Sequence, residues 1–163
     1  MALDFDPIGE ARRNWERHGW RAPDAMVAAT SITRAHQILL GRINDALSPH
    51  GLNFSRFEAL ALLSFTRAGA LPLGKMGARL QVHPASVTNT IDRLERDGLV
   101  RRVPHPTDGR TTLAEITDEG RTRLEQAEAA LGAIEFGLGD LGPDAFRAIG
   151  ASLEVVRREA GDF

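Results

Sequence analysis

The stretch "LVRRVPHPTDGRTTLAEIT", residues Leu99–Thr117, has the pattern of a β-hairpin. Apolar and largely β-branched residues stand on either side of "HPTDG", where two prolines and an Asp-Gly pair are typical of a turn. A hairpin this short is not stable alone in water, so it must pack on a larger unit. Arginines flank the tip at positions 101, 102 and 110, which raises the question of what the tip contacts.

The residues just before the hairpin are predicted to complete a helix-turn-helix. In "HPASVTNTIDRLERDG", Pro84 suits the first position of a helix and Gly98 suits the position just past its end. Val87, Ile91 and Leu94 fall on one apolar stripe of that helix. A short helix precedes it, and the hairpin follows it as a wing.

The opposite face of this helix is polar and cationic, and it predicts a DNA-binding surface. A helix in the major groove reads base edges with its N-terminal residues, and its backbone N–H groups suit a phosphate. Asn bonds adenine in a bidentate manner, while Ser and Thr bond bases or phosphates. A solvated face without function is the alternative, and the neighbouring wing and basic residues favour DNA. The candidate residues are Ser86, Thr88, Asn89 and Arg93.

Amphipathic patterns predict further helices on both sides of this unit. Pro23 begins a long helix, and Ser55 with Glu58 three residues later forms a capping box for the next one. Thr117 caps a helix after the hairpin, and the last helix begins at Gly142-Pro143. The predicted fold is mainly α with a small β-hairpin wing, a winged helix-turn-helix with long terminal helices.

Charge is distributed unevenly along the chain, although the net charge is only −2. Residues 75–110 hold seven Lys or Arg against four Asp or Glu, a net of +3. From residue 111 onward there are five Arg against eleven acids, a net of −6. The basic middle is consistent with a nucleic-acid partner, but such clusters also arise on ordinary solvated faces.

Composition makes several functional classes unfavourable. The chain has no cysteine, so it has neither disulfides nor a thiol nucleophile, and its five histidines lack metal-site spacing. No run of about 18 apolar residues predicts a membrane span, and the N-terminal stretch lacks the apolar segment of a signal peptide. We therefore expect a cytoplasmic protein with no metal, no cofactor and no membrane partner.

The stretch "LQVHPASVTNTIDRLERDGLVRRVPHPTDGRTTLAEITDEGRTRLEQA" resembles the MarR family of bacterial transcriptional regulators. It contains motifs similar to that family's recognition helix, its "LE..GLV.R" start of the wing, its Asp-x-Arg tip and its "LT..G" start of the dimerisation helix. The resemblance implies that Ser86, Thr88 and Asn89 face DNA. It also implies that Asp108 orients Arg110 toward the minor groove. The sequence departs from the family at Gly109, where many members carry a second basic residue, and at Ile116, where leucine is usual.

The resemblance also implies the assembly and its function. Residues 1–48 would supply N-terminal dimerisation helices, 52–117 the DNA-binding lobe and 118–163 C-terminal dimerisation helices, all in one continuous domain. A homodimer would bind a palindromic operator in double-stranded DNA, with repression as the family's usual outcome. Many members respond to small aromatic or anionic effectors.

Four residues are candidates for lining an effector pocket between the first long helix, the Ser55 helix and the Thr117 helix. Aromatic and thioether side chains offer apolar contact, and a histidine can meet an anion or a phenol. Packing in a dimer core is the alternative for all four. They are Trp20, Met26, His36 and Phe57.

An enzyme is disfavoured, because the chain has no strand-GxGxxG-helix unit and no readable nucleophile-base-acid set. A winged helix that binds protein without specific DNA binding remains the alternative function.

Overall fold

The computed structural model describes residues 3–108 and 110–163. Gly109, one of the two departures named above and half of the Asp-Gly turn, lies outside the described residues. The chain divides into two compact units, residues up to Gly41 and Arg42–Phe163, each with its own set of contacts. The helices are α1 Pro7–Arg17, α2 Pro23–Leu47, α3 Phe54–Ser64, α4 Leu73–Leu80, α5 Pro84–Arg96, α6 Asp118–Ala133 and α7 Pro143–Glu159. The strands are β1 Ala70–Pro72, β2 Val100–Pro104 and β3 Thr112–Ile116.

The fold is mainly helical with a small antiparallel sheet, as the sequence predicted. No helix within the described ranges combines the length and apolarity needed to cross a membrane. The division into an N-terminal segment, a DNA-binding lobe and a C-terminal segment at residues 48, 52 and 117 stays a prediction.

The unit up to Gly41 contains α1, which the apolar periodicity did not predict because that periodicity begins only at Pro23. The Asp6 carboxylate caps α1 by accepting hydrogen bonds from the backbone N–H groups of Ile8 and Gly9 at 3.0 and 3.1 Å. Pro7 occupies the first turn. The start of α1 was thus encoded in the Asp-Pro pair rather than in apolar spacing.

The core of the unit Arg42–Phe163 lies between α3, α5, α6 and one face of the sheet. The apolar stripe predicted on α5 is confirmed, since Val87, Ile91 and Leu94 are all buried. Removing apolar surface from water is the main favourable term in folding. This burial therefore fixes which face of α5 turns outward. The largest fully buried side chains are Leu47, Leu60, Leu63, Met76, Ile91, Leu94, Leu99, Val100 and Leu131.

The sheet has three strands in the order β1-β3-β2, one more than the predicted hairpin. The hairpin pairs Val100 with Ile116 and Val103 with Leu113. β1 adds to the other edge of β3, pairing Leu71 with Ala114. A three-residue strand that ends in proline has too few residues to show an alternating pattern, so the sequence did not predict it.

Most predicted helix boundaries are confirmed, but the capping box at Ser55 is wrong. The cap of α3 is Asn53, whose side chain accepts a hydrogen bond from the Arg56 N–H at 3.0 Å. Its backbone is extended, as a cap requires, whereas Ser55 lies within the first helical turn. Because Ser55 is not the cap, Glu58 is not the second residue of a capping box. The boundaries at Pro84, Gly98, Thr117 and Gly142-Pro143 are as predicted.

Candidate nucleic-acid interface and cavity

The outward face of α5 carries the four predicted DNA-binding side chains. Ser86, Thr88, Asn89 and Arg93 are all exposed, while the opposite stripe is buried. The Thr88 hydroxyl donates to the Pro84 carbonyl at 3.2 Å, and the His83 ring caps the helix by accepting from the Ala85 N–H at 3.2 Å. The helix therefore presents a capped N-terminal turn beside uncharged hydrogen-bonding groups. Such a surface suits the edges of bases and a phosphate.

Asn89 and Arg93 line a polar cleft of about 450 Å³ together with Arg56, which the sequence analysis did not single out. Arg56 comes from α3 and donates to the Gly51 carbonyl at 2.9 Å. Its guanidinium lies 3.5 Å from the carboxylate of Asp97 at the end of α5. No spacing along the sequence relates Arg56 to α5, because packing of the two helices brings them together.

Two of the cations counted in the basic segment are held by acids of the same unit. Arg102 on β2 forms ion pairs with Asp92 and Glu95 of α5, and its backbone N–H donates to Glu95 at 3.1 Å. Arg101 pairs with Glu115 on β3 at 2.7 Å, which lowers the pKa of Glu115. These arginines therefore join elements to one another rather than standing ready for phosphates.

The wing tip is held by Asp108, through contacts that differ from the expected one. Its carboxylate accepts hydrogen bonds from the Thr111 hydroxyl at 2.7 Å and from the Arg110 backbone N–H at 3.1 Å. These bonds lower the pKa of Asp108, the Thr111 hydroxyl having the larger effect. Asp108 thus fixes the backbone of Arg110, and it does so without an ion pair to the Arg110 guanidinium within the described residues. The Arg110 side chain is exposed.

A cavity of about 600 Å³ lies between α3 and α6 in the unit Arg42–Phe163. Its apolar walls include Phe57, one of the four predicted effector residues. Its polar lining consists of one serine and three glutamates. The lining residues are Phe54, Phe57, Glu58, Ala61, Leu62, Ser64, Phe65, Leu80, Leu124, Glu125, Glu128 and Phe136.

The other three predicted effector residues belong to the unit that ends at Gly41. Trp20 is 56% exposed and packs edge-on against Trp15, with ring centroids 4.7 Å apart. The Met26 carbonyl accepts a hydrogen bond from the Thr30 hydroxyl at 2.8 Å, and His36 is exposed on α2. Their role toward an effector stays a prediction.

Comparison with known proteins identifies the family of this fold. The MarR family model matches residues 52–112, from the cap of α3 to the start of β3. HTH-type transcriptional regulators of Bacillus subtilis and of mycobacteria match at 33% to 40% identity. The match spans 60% of the length of one of these relatives and 49% of another.

Three solved structures share the fold over most of the chain. Sco5413, a MarR family transcriptional regulator from Streptomyces coelicolor, is 51% identical, covers 86% of this chain and 97% of its own, and has a TM-score of 0.79. A MarR mutant from E. coli complexed with operator DNA is 25% identical, covering 78% and 91%, with a TM-score of 0.69. CouR from Rhodococcus jostii RHA1, bound to p-coumaroyl-CoA, is 26% identical, covering 82% and 91%, with a TM-score of 0.69. With a relative of this identity and coverage, and with a family match that coincides with the helix-turn-helix and wing, the chain belongs to the MarR family of transcriptional regulators.

Proposed function

We propose that this protein binds a palindromic operator as a homodimer and represses transcription from it. The observation that carries the proposal is the exposed polar face of α5, which lies in the same unit as the exposed Arg110 of the wing. The E. coli relative complexed with operator DNA supports it. The family is one of regulators rather than enzymes, in agreement with the sequence analysis. Since its target is the chromosome, we propose that the protein acts in the cytoplasm.

We propose different tasks for the helix and the wing. Asn89 and the hydroxyls of Ser86 and Thr88 would contact base edges in the major groove. Arg93, which lines the same cleft, would contact the phosphates beside it. The Arg110 side chain, whose backbone Asp108 fixes, would enter the adjacent minor groove.

A homodimer is supported by apolar side chains that the chain leaves in water. No residue of α7 is buried, although its amphipathic pattern places apolar residues on one side. The segment up to Gly41 likewise exposes large apolar side chains before α1, between α1 and α2, and on α2. A dimer interface would cover such side chains, and the spacing of Ile149, Leu153 and Val156 places three of them on one face of α7. The exposed residues are Leu3, Phe5, Trp20, Ile32, Ile38, Ile149, Leu153, Val155 and Val156.

Selection of bound sequences from a random pool of duplex DNA tests the proposal. We expect a recovered motif with dyad symmetry and half-sites about 10 bp apart from centre to centre, because a two-fold dimer presents both α5 helices to one side of the DNA. Recovery of a site without a dyad would contradict the palindromic operator. If no sequence is enriched and binding to random DNA lacks a steep salt dependence, the protein is instead a winged-helix module that binds protein.

Repression itself is tested by transcription in a purified system. A template that carries the selected site over a promoter should yield less transcript when the protein is added, whereas a template with a scrambled site should not respond. More transcript from the intact site would identify an activator.

We further propose that a small aromatic effector controls DNA binding through the cavity between α3 and α6. CouR, bound to p-coumaroyl-CoA, is a relative whose ligand has an aromatic part. A ligand acts on DNA affinity only if it binds the DNA-competent and incompetent conformations unequally. Phe57 lines the cavity, whereas participation of Trp20, Met26 and His36 rests on the sequence analysis alone.

A further inference from the structure

Three carboxylates line the apolar cavity, and within the described part of the chain no cation lines it with them. Glu58 comes from α3, and Glu125 and Glu128 come from neighbouring turns of α6. Many of the acids elsewhere in the protein pair with an arginine, as Glu95 does with Arg102. Across residues 3–108 and 110–163, none of these three carboxylates takes part in a hydrogen bond or an ion pair between side chains. The cavity therefore holds uncompensated negative charge.

Glu58 is the most buried of the three carboxylates. Its side chain is half-buried, whereas Glu125 and Glu128 are exposed. Burial in the apolar wall raises the pKa of Glu58. An ionised group out of water costs free energy unless an opposite charge accompanies it, and Coulomb attraction strengthens where the dielectric is low. A cation placed in the cavity would thus gain more from Glu58 than from an exposed carboxylate.

The aromatic walls match the same kind of ligand. The rings of Phe54 and Phe57 lie nearly parallel with centroids 6.4 Å apart, and Phe136 meets Phe57 at 67° with centroids also 6.4 Å apart. The face of an aromatic ring attracts a cation and also packs against flat apolar groups. A cavity of about 600 Å³ falls within the range that holds a drug-sized molecule.

We propose that the cavity binds a hydrophobic organic cation, an aromatic body that carries an ammonium or phosphonium centre, rather than an aromatic acid. This inference rests on the proposed function, in which the cavity is the effector site, and it specifies the effector's chemical class. The cationic centre faces Glu58, with Glu125 and Glu128 also lining the cavity, and the aromatic groups pack against the phenylalanines. An aromatic carboxylate of the same shape would meet three negative charges and, among the described residues that line the cavity, no positive one.

Titration calorimetry with two ions of the same shape and opposite charge tests the inference. Tetraphenylphosphonium and tetraphenylborate differ in the sign of the central charge, so shape and apolar area are matched between them. We expect the phosphonium to bind at least about tenfold more tightly to the full-length protein, a difference that even a modest attraction to one carboxylate produces. Equal binding, or tighter binding of the borate, would overturn the inference.

Glutamine variants identify the carboxylate responsible. Glu58→Gln keeps the shape of the side chain and should reduce the preference for the phosphonium to near unity, and Glu128→Gln should reduce it partially. The control is Glu119→Gln. Glu119 lies on α6, as Glu128 does, but it pairs with Arg123 and does not line the cavity, so this variant should keep the full preference. Thermal unfolding checks that each variant is folded. If Glu58→Gln and Glu128→Gln both keep the full preference, the cavity is not where the cation binds.

A DNA-binding assay in the presence of tetraphenylphosphonium separates this inference from the proposed function. Loss of operator affinity in the parent but not in Glu58→Gln supports both. A charge preference that Glu58→Gln removes, with operator affinity unchanged by the ligand, supports the ligand class and overturns effector control. Operator binding without any phosphonium preference overturns the ligand class and leaves the regulator intact.

Discussion

Gly120 lies where the first turn of α6 passes the backbone that leads into β2. A Cβ atom at this position would be 2.1 Å from the Leu99 carbonyl oxygen and 2.8 Å from the Ile116 side chain. Thr117 fastens the same crossing, since its hydroxyl donates to the Gly98 carbonyl at 2.8 Å and accepts from the Gly120 N–H at 3.0 Å. The Thr-x-x-Gly spacing that marked the family in the sequence is therefore a requirement of packing.

Gly120→Ala should reduce the free energy of unfolding by about 1–3 kcal/mol, since the backbone of Leu99 must move to admit the methyl group. Urea denaturation at fixed protein concentration measures it. Gly132→Ala is the matched control on the same helix, because apart from the adjacent helix backbone the nearest atom to its Cβ is a Glu128 carboxylate oxygen 4.0 Å away. That variant should be stabilised by up to about 1 kcal/mol, the helix preference of alanine over glycine. Similar values for the two variants would contradict the close crossing.

Asn89→Ala and Arg110→Ala should impair DNA binding in different ways. Loss of a bidentate base contact at Asn89 should weaken operator binding by about 1–3 kcal/mol and leave random duplex binding unchanged. Loss of the Arg110 charge should weaken binding to both and flatten the salt dependence. Fluorescence anisotropy at several salt concentrations distinguishes the two patterns. If both folded variants bind like the parent, α5 and the wing tip are not the DNA surface.

At the scale of elements, Arg102 joins the wing to α5. Its guanidinium pairs with Asp92 and Glu95, and its backbone N–H also donates to Glu95, so strand and helix are bonded through both side chain and main chain. Arg101 points elsewhere and bridges β2 to β3 through Glu115. Arg102 therefore links the wing to α5, whereas Arg101 links two strands within the sheet.

Arg102→Met should lower stability by about 1 kcal/mol, because it removes the ion pairs to Asp92 and Glu95 and leaves Glu95 only the backbone N–H of residue 102. The partial exposure of the site limits the loss. Operator affinity should fall as well, since the wing loses its side-chain bonds to the helix and keeps only the backbone bond to Glu95. Arg101→Met is the control at the adjacent position, where the ion pair is exposed and a smaller loss of stability is expected. Urea denaturation and anisotropy measure the two effects. An equal loss of stability in both variants would show that Arg102 does not couple the two elements.

At the scale of the whole molecule, we expect a stable homodimer without DNA. Sedimentation equilibrium at micromolar concentration should give twice the chain mass of 17.7 kDa. Leu153→Glu on α7 should shift the protein toward the monomer, because a charge buried in an apolar interface without a partner is costly. Glu154→Gln, at a neighbouring residue of the same helix, should leave the mass unchanged. A well-folded parent protein that sediments as a monomer would contradict the assembly.

The sequence by itself determined the elements whose signals are local. The stripe of Val87, Ile91 and Leu94 fixed the outward face of α5, and Thr117 fixed the start of α6. The turn residues between two β-branched runs fixed the hairpin. Each of these signals lies within one helix or one hairpin, where backbone preference and side-chain periodicity act over a few residues.

The tertiary structure alone decided what joins residues that are distant in sequence. It added β1 to the sheet, brought Arg56 of α3 beside Arg93 of α5, and committed Arg102 to the acids of α5. It also placed Glu58 in an aromatic cavity instead of in a capping box. No local preference encodes these contacts, because they arise only when apolar faces pack and bring side chains from separate elements within a few ångströms of one another.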